Sequence, residues 1–346
     1  MRNLRILVMV LLLLALLVVT IAAKPLKKKR PKSKLPVIRV ETLFRVSEAP
    51  VSPKAKIFLV AGNSQAASFA REIVDQKRLW LAAGYAEDEI ECYYVVPLQE
   101  DLNDDQAQFV PVAEALGKCH AASVKLLRAH LATLGARKPA PEFVYLYVTS
   151  HGDKPVSYTL QEAKPSDEDY WALQREAKIP VFDQYSMLVE GLTDGTATSP
   201  EIFGALRAGI DPRDLYLTPG VLKEALGHLE EVPKFVVLQG CFSGGFFEET
   251  SPKYRDELLS TLPLVTLLSA ARHDRSSFGC EPGSGSTVFG GVINALLSHG
   301  LGDPRKMDWK SLWVAAQADI LALEKREKMT PPSLPQYFSN NVNLLH

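Results

Sequence analysis

Glu142-Phe-Val-Tyr-Leu-Tyr-Val-Thr149 runs directly into Ser150-His151-Gly152-Asp153, and Phe235-Val-Val-Leu238 runs into Gln239-Gly240-Cys241-Phe242-Ser243-Gly244-Gly245. Both runs are almost wholly apolar, rich in β-branched and aromatic residues, and stopped by polar residues and glycine. That pattern reads as a strand buried on both faces. Lys56–Ala61, Glu91–Val96 and Leu264–Ser269 carry the same signature. Between them lie helical patterns at Ala66–Ala83, Phe109–Leu134, Thr218–Leu229, Thr287–Leu297 and Trp309–Lys328. Alternation of buried strands with amphipathic helices predicts an α/β fold with a mostly parallel sheet covered on both faces. Such sheets place their chemistry beyond the carboxyl ends of the strands. One of the two central runs ends in a histidine there and the other in a cysteine.

The composition sets the bounds. The chain has 346 residues, 47% hydrophobic and 23% charged, enough for a substantial core and unlike a disordered or fibrous protein. Charge is uneven. Residues 1–35 hold nine of the 39 basic residues and none of the 40 acidic ones, so the body from Pro36 onward carries a net charge of about −10. An acidic body argues against nucleic acid as a partner.

Arg2 and Arg5 precede an uncharged apolar run from Ile6 to Ala23, with Thr20-Ile-Ala-Ala23 offering small residues for a signal peptidase. Its length falls between a signal-peptide core and a minimal membrane span. Residues 1–23 are therefore expected to be a signal peptide or a membrane anchor. The basic, Pro-containing stretch 24–53 reads as a solvated linker, and 54–346 as one domain. The body is expected to be exported or membrane-anchored, outside the cytoplasm, with the membrane a partner only if the segment is not cleaved.

Cys92, Cys119, Cys241 and Cys280 make no C-x-x-C pair and no disulfide framework. His120, His130, His228 and His299 fall within or at the ends of helical patterns and read as structural or solvated. His273, in a post-strand loop, is the rival to His151. No two histidines have metal-ligand spacing, so no catalytic metal and no cofactor are expected.

A thiol and an imidazole at neighbouring strand ends are the minimal kit for nucleophilic acyl transfer: the thiolate attacks a carbonyl and the imidazole handles the proton. The flanking glycines let a substrate backbone approach and free N–H groups to face an oxyanion. Gly152 N–H and Cys241 N–H are the candidates. Most free cysteines are small buried hydrophobes and many histidines are turn residues, but finding both at strand ends beside glycine makes coincidence a poor explanation. Ser243 lacks the glycine two residues earlier that a serine-hydrolase elbow needs, and Pro282-Gly-Ser-Gly-Ser-Thr287 lacks the lysine of a phosphate-binding loop.

These residues resemble the caspase-like clan of cysteine peptidases, and within it the bacterial legumain-like (asparaginyl endopeptidase) family. Ser269-Ala-Ala-Arg-His-Asp-Arg-Ser-Ser-Phe-Gly-Cys280 followed by Ser286-Thr-Val-Phe-Gly290 is similar to a legumain segment, and so is the early order Ala61-Gly62, Arg71, Asp75, Trp80. The resemblance spans roughly Lys56 to Ala295. It implies a caspase-like three-layer α/β/α sandwich and a peptide or protein substrate. It also implies His151 and Cys241 as the catalytic pair, oxyanion donors at Gly152 and Cys241, and Arg71, Ser276 and Ser277 around the residue before the scissile bond.

The sequence departs from that family at three places. Phe69 replaces an asparagine, Ser150 replaces an acid before the histidine, and Gly291 replaces an acid expected in the pocket. Cys241 lies 90 positions after His151, with an insertion at about 154–214 bearing Tyr158, Tyr170, Trp171, Phe182, Tyr185 and Phe203. It reads as a surface elaboration or as a lid near the site. A cysteine endopeptidase is expected. A transpeptidase on the same thioester, or a non-catalytic binding protein on the same fold, is the alternative.

Overall fold

In the computed structural model, residues 40–63, 67–97, 106–162, 170–189, 206–281 and 284–341 are described. The apolar run at 6–23 and parts of the insertion, at 163–169 and 190–205, lie outside them. Seven strands form one sheet: β1 (Ile57–Ala61), β2 (Ile90–Tyr94), β3 (His120–Ala121), β4 (Val144–Thr149), β7 (Lys234–Gln239), β8 (Val265–Ser269) and β9 (Gln336–Ser339). Their order across the sheet is β3-β2-β1-β4-β7-β8-β9. Neighbours are parallel except at the far edge, where β9 runs antiparallel to β8. A separate two-stranded antiparallel pair, β5 (Gly152–Asp153) with β6 (Ser186–Met187), sits just beyond β4.

The helices are α1 (Val40–Leu43), α2 (Ala67–Ala82), α3 (Gln106–Leu116), α4 (Val124–Leu134), α5 (Val156–Glu162), α6 (Tyr170–Glu176), α7 (Pro219–Gly227), α8 (Val288–Leu297) and α9 (Trp309–Arg326). Alternate side chains of the central strands enter two separate cores. Phe58, Val60, Leu146, Val148, Val236 and Leu238 pack with α4 and α7. Ile57, Leu59, Tyr145, Tyr147 and Val237 pack with α2, α3, α8 and α9. Period-two burial on both faces makes the three-layer arrangement that the continuous apolar strands predict. Local chemistry ends and starts the helices. Gly84, at φ +94°, stops the chain after α2, Thr218 caps α7 with Pro219 in its first turn, and Thr287 caps α8.

Three expectations need correction. Phe109–Leu134 is two helices rather than one. Gly117 breaks the first, residues 120–121 pair with Tyr93 and Tyr94 at the sheet edge, and Ser123 caps the second by accepting the Leu126 N–H. His120 is therefore a strand residue, its Nε2 2.7 Å from Glu91 Oε2. Cys92 and Cys119 are joined in a disulfide, a long-range pairing that spacing did not reveal. Finally, the stretch assigned as solvated linker is not wholly solvated. Phe44, 2% exposed, packs its ring 6.1 Å from that of Tyr94, and Ser47 N–H donates to Cys119 O.

Candidate active site

The register of β4 on β7 builds the site. Thr149 lies opposite Gln239, so His151 and Cys241 each stand two residues past a paired position at adjacent carboxyl ends. The gap between the two exits is closed by backbone: Ser150 N–H donates to Gln239 O at 3.0 Å. A Cβ at Gly152 would overlap the Cys241 carbonyl oxygen, and one at Gly240 would fall 2.8 Å from Ser150 O. Only glycine fits at either position, which explains the His-Gly and Gly-Cys dipeptides physically.

The turn after Cys241 is tight. Phe242 adopts a left-handed backbone (φ 57°, ψ 11°), and its N–H donates to Arg275 O at 2.8 Å. Ser243 Oγ donates to Gly240 O, and its side chain is wholly buried, so it is a brace for the turn and not a rival nucleophile. Cys241 is left half-buried. Its Sγ accepts the Ser277 N–H at 3.3 Å and lies 3.7 Å from both Ser277 O and Ser277 Oγ.

An aromatic wall stands beside His151. The ring of Phe69 meets its imidazole edge-to-face, with centroids 5.3 Å apart. Burial holds His151 below the usual imidazole value, so it stays neutral and able to accept a proton at neutral pH. Burial also pushes Asp153 up to about 6. Cys280, the other free cysteine among the described residues, is pushed up to about 11 by burial and the neighbouring Cys241 sulfur, so it stays a thiol.

Of the expected pocket residues, Ser277 touches the sulfur, Ser276 is exposed, and Arg71 lies beside Gly285, its Nη1 3.5 Å from where a Cβ there would stand. Asp274 is tied to Arg272 by two bonds of 2.5 and 2.8 Å. His273 pairs with Glu248, and Gly244 packs against its backbone on the nucleophile turn. Among the described residues no cluster of His, Cys, Asp and Glu could hold a metal ion.

The insertion contributes more than decoration. Phe182, Tyr185, Met187, Leu188 and Val189 are buried in the core. Leu188 O accepts from Ser150 Oγ at 2.5 Å, and Leu188 N–H donates to His151 O at 3.1 Å, strapping the histidine turn across the sheet end. Trp171 is 62% exposed. Sequence reading missed this strap and the wall made by Phe69. The spacing of Phe69, Glu72 and Gln76 on one face of α2 is the available signal.

No family model and no curated protein matches the chain. The crystal structure of caspase-1 from Spodoptera frugiperda is similar at a TM-score of 0.42 and 11% identity, over 88% of this chain and 93% of that one. Among the described residues no helix is long and apolar enough to cross a membrane.

Proposed function

We propose that the chain is a cysteine endopeptidase of the caspase-like clan, legumain-like in its motifs, acting through Cys241 and His151. The observation that carries this reading is the Thr149–Gln239 register. It sets a neutral, half-buried imidazole and a half-buried thiol at adjacent strand exits, with the Ser277 N–H on the sulfur.

In this reading His151 takes the thiol proton and the Cys241 sulfur bonds to the substrate carbonyl carbon. The carbonyl π pair moves onto oxygen, which faces the N–H groups of Gly152 and Cys241. Collapse of that adduct breaks the C–N bond as His151 protonates the leaving amine, leaving a thioester. His151 then takes a proton from water, the hydroxyl adds to the thioester carbon, and the sulfur leaves as the acid is released.

The Cys92–Cys119 disulfide supports placement of the body in an oxidising, non-cytoplasmic compartment, consistent with the apolar run at 6–23 acting as export signal or anchor. Arg71 beside the 284–286 segment, with glycine at 291, supports acceptance of aspartate as well as asparagine before the scissile bond. A peptide-library cleavage profile of the purified chain tests the reading. Defined cuts that vanish in Cys241→Ala are expected, and an uncut library or cuts that persist in the variant would contradict it.

A further inference from the structure

Glu72 is a buried carboxyl that the proposed chemistry does not use. It is 0% exposed, on α2 one residue after Arg71. Tyr147 Oη donates to its Oε2 at 2.8 Å, and Thr149 Oγ1 lies 2.7 Å from the same oxygen. The Thr287 N–H, at the start of α8, donates to Oε1 at 2.5 Å, and Asn294 Nδ2 donates to the Glu72 backbone oxygen at 3.4 Å. A Cβ at Gly290 would overlap the carboxyl, so the first turn of α8 leaves a slot for it. One side chain thus joins α2, the strand leading to His151 and the helix following the Ser277 loop. Burying a carboxyl at such a junction is costly unless its bonds are complete, so each partner is held as firmly as the carboxyl needs it.

Two short paths leave this junction. Thr149 Oγ1 also lies 3.1 Å from Gln239 Oε1, and both Thr149 and Gln239 stand two residues before a proposed reacting residue. On the other side, Val288 N–H donates to Phe278 O at 2.9 Å. Gly279, at φ +92°, lets that loop lie flat on Thr287–Val288, where a Cβ would fall 2.8 Å from Val288 N. Ser277, the next residue back from Phe278, holds the Cys241 sulfur.

We infer that Glu72 is a positioning residue: it fixes the Ser277 loop, and with it the Cys241 sulfur, relative to the strand that carries His151. This rests on the reading of Cys241 and His151 as the reacting pair. Among the described residues Glu72 is hydrogen-bonded to Tyr147, Thr149, Thr287 and Asn294 and not to the Cys241 sulfur, so its effect passes through those partners.

The test uses the purified full chain as wild type, Glu72→Gln and Glu72→Ala, at a temperature where each is folded by circular dichroism. Two quantities are measured: the rate of iodoacetamide alkylation at Cys241, mapped by mass spectrometry, and kcat and KM on a cleaved peptide. Gln keeps the shape and the acceptor for Thr287 N–H. The expected result is a fall of about tenfold or more in alkylation rate and kcat for Glu72→Ala, with KM within about threefold, and Glu72→Gln within about threefold of wild type in all three. If Glu72→Ala does not fold, Gly290→Ala replaces it, since its methyl displaces the carboxyl without removing it, and the same losses are expected. A folded Glu72→Ala or Gly290→Ala with wild-type alkylation and kcat overturns the inference. If no peptide is cut by wild type but alkylation falls as expected, the positioning role stands and the peptidase reading fails.

Discussion

Thr149 and Gln239 face each other across the two central parallel strands, and their side chains meet, Oγ1 3.1 Å from Oε1, at the end of the ladder. That pairing sets where the two exit loops, with His151 and Cys241, leave the sheet. A shift of one residue in register would move Cys241 about 3.3 Å along the strand direction and reverse the face it presents. The chemistry proposed for this protein depends on that single alignment.

Gly152 is the tightest point between the two exits. Gly152→Ala introduces a methyl that overlaps the Cys241 carbonyl oxygen. The loops must separate, and the Gly152 and Cys241 N–H groups move with them. Peptide turnover is expected to fall about 100-fold or more, the scale of losing an oxyanion donor, with the far-ultraviolet spectrum unchanged. Turnover within a few-fold of wild type would show that the exits are not packed as tightly as described.

The four cysteines fall into three classes that labelling can separate. Cys241 is half-buried with an N–H on its sulfur, Cys280 is pushed up to about 11, and Cys92 and Cys119 are bonded to each other. Brief alkylation of the folded, unreduced protein at pH 7.5 is expected to modify Cys241 first and Cys280 much more slowly. Cys92 and Cys119 should react only after reduction and unfolding. Early adducts on Cys92 or Cys119 would remove the disulfide and with it the support for an oxidising compartment.

Asp153 gives a pH dependence of stability. Burial raises its folded-state value to about 6, above the unfolded value near 4, so the unfolded chain loses this proton first as pH rises. Its contribution is therefore neutral below about pH 4 and becomes a penalty as pH passes through 6, of about 1–3 kcal/mol with its partial exposure. Asp153→Asn is expected to be more stable than the parent at pH 7.5 and equal to it at pH 4, read from urea unfolding. Equal stability at both pH values would contradict this environment for Asp153.

On the proposed function, specificity before the scissile bond is expected to depend on the residue at 291. A Cβ at Gly291 would fall 2.6 Å from Ser286 Oγ, Asp274 is engaged by Arg272, and Glu281 is exposed. Those three positions then offer an asparagine amide no acidic acceptor, at a cost of about 1–3 kcal/mol if buried, whereas the Arg71 guanidinium, which also interacts with Asp75, can pair with an aspartate. Cleavage after aspartate is expected to equal or exceed cleavage after asparagine. A library profile favouring asparagine by more than about tenfold, roughly 1.4 kcal/mol, would contradict it.

The sheet was readable because its strands are buried on both faces. Val144–Thr149 and Lys234–Gln239 carry no surface pattern to confuse them, and glycine marks where each exit begins. The break at 117–123 was not readable, since a two-residue strand at a sheet edge has no period of its own and the helices on either side share one pattern. β9 was missed for the same reason: it is short, partly exposed and antiparallel at the edge. His151, Gly152 and Cys241 stand out by place in the chain. Glu72 does not, because its partners Tyr147, Thr149 and Thr287 come from distant segments that only the folded sheet assembles.

The most direct measurement is the mass of the acyl-enzyme. The purified chain is mixed with a peptide ester ending in aspartate, quenched in acid within milliseconds, and mapped by mass spectrometry. The account predicts an acyl adduct on Cys241 that is absent in Cys241→Ala and forms much more slowly in His151→Ala. An adduct on Ser243 or another residue, or peptide cleavage that continues in Cys241→Ala, would contradict it.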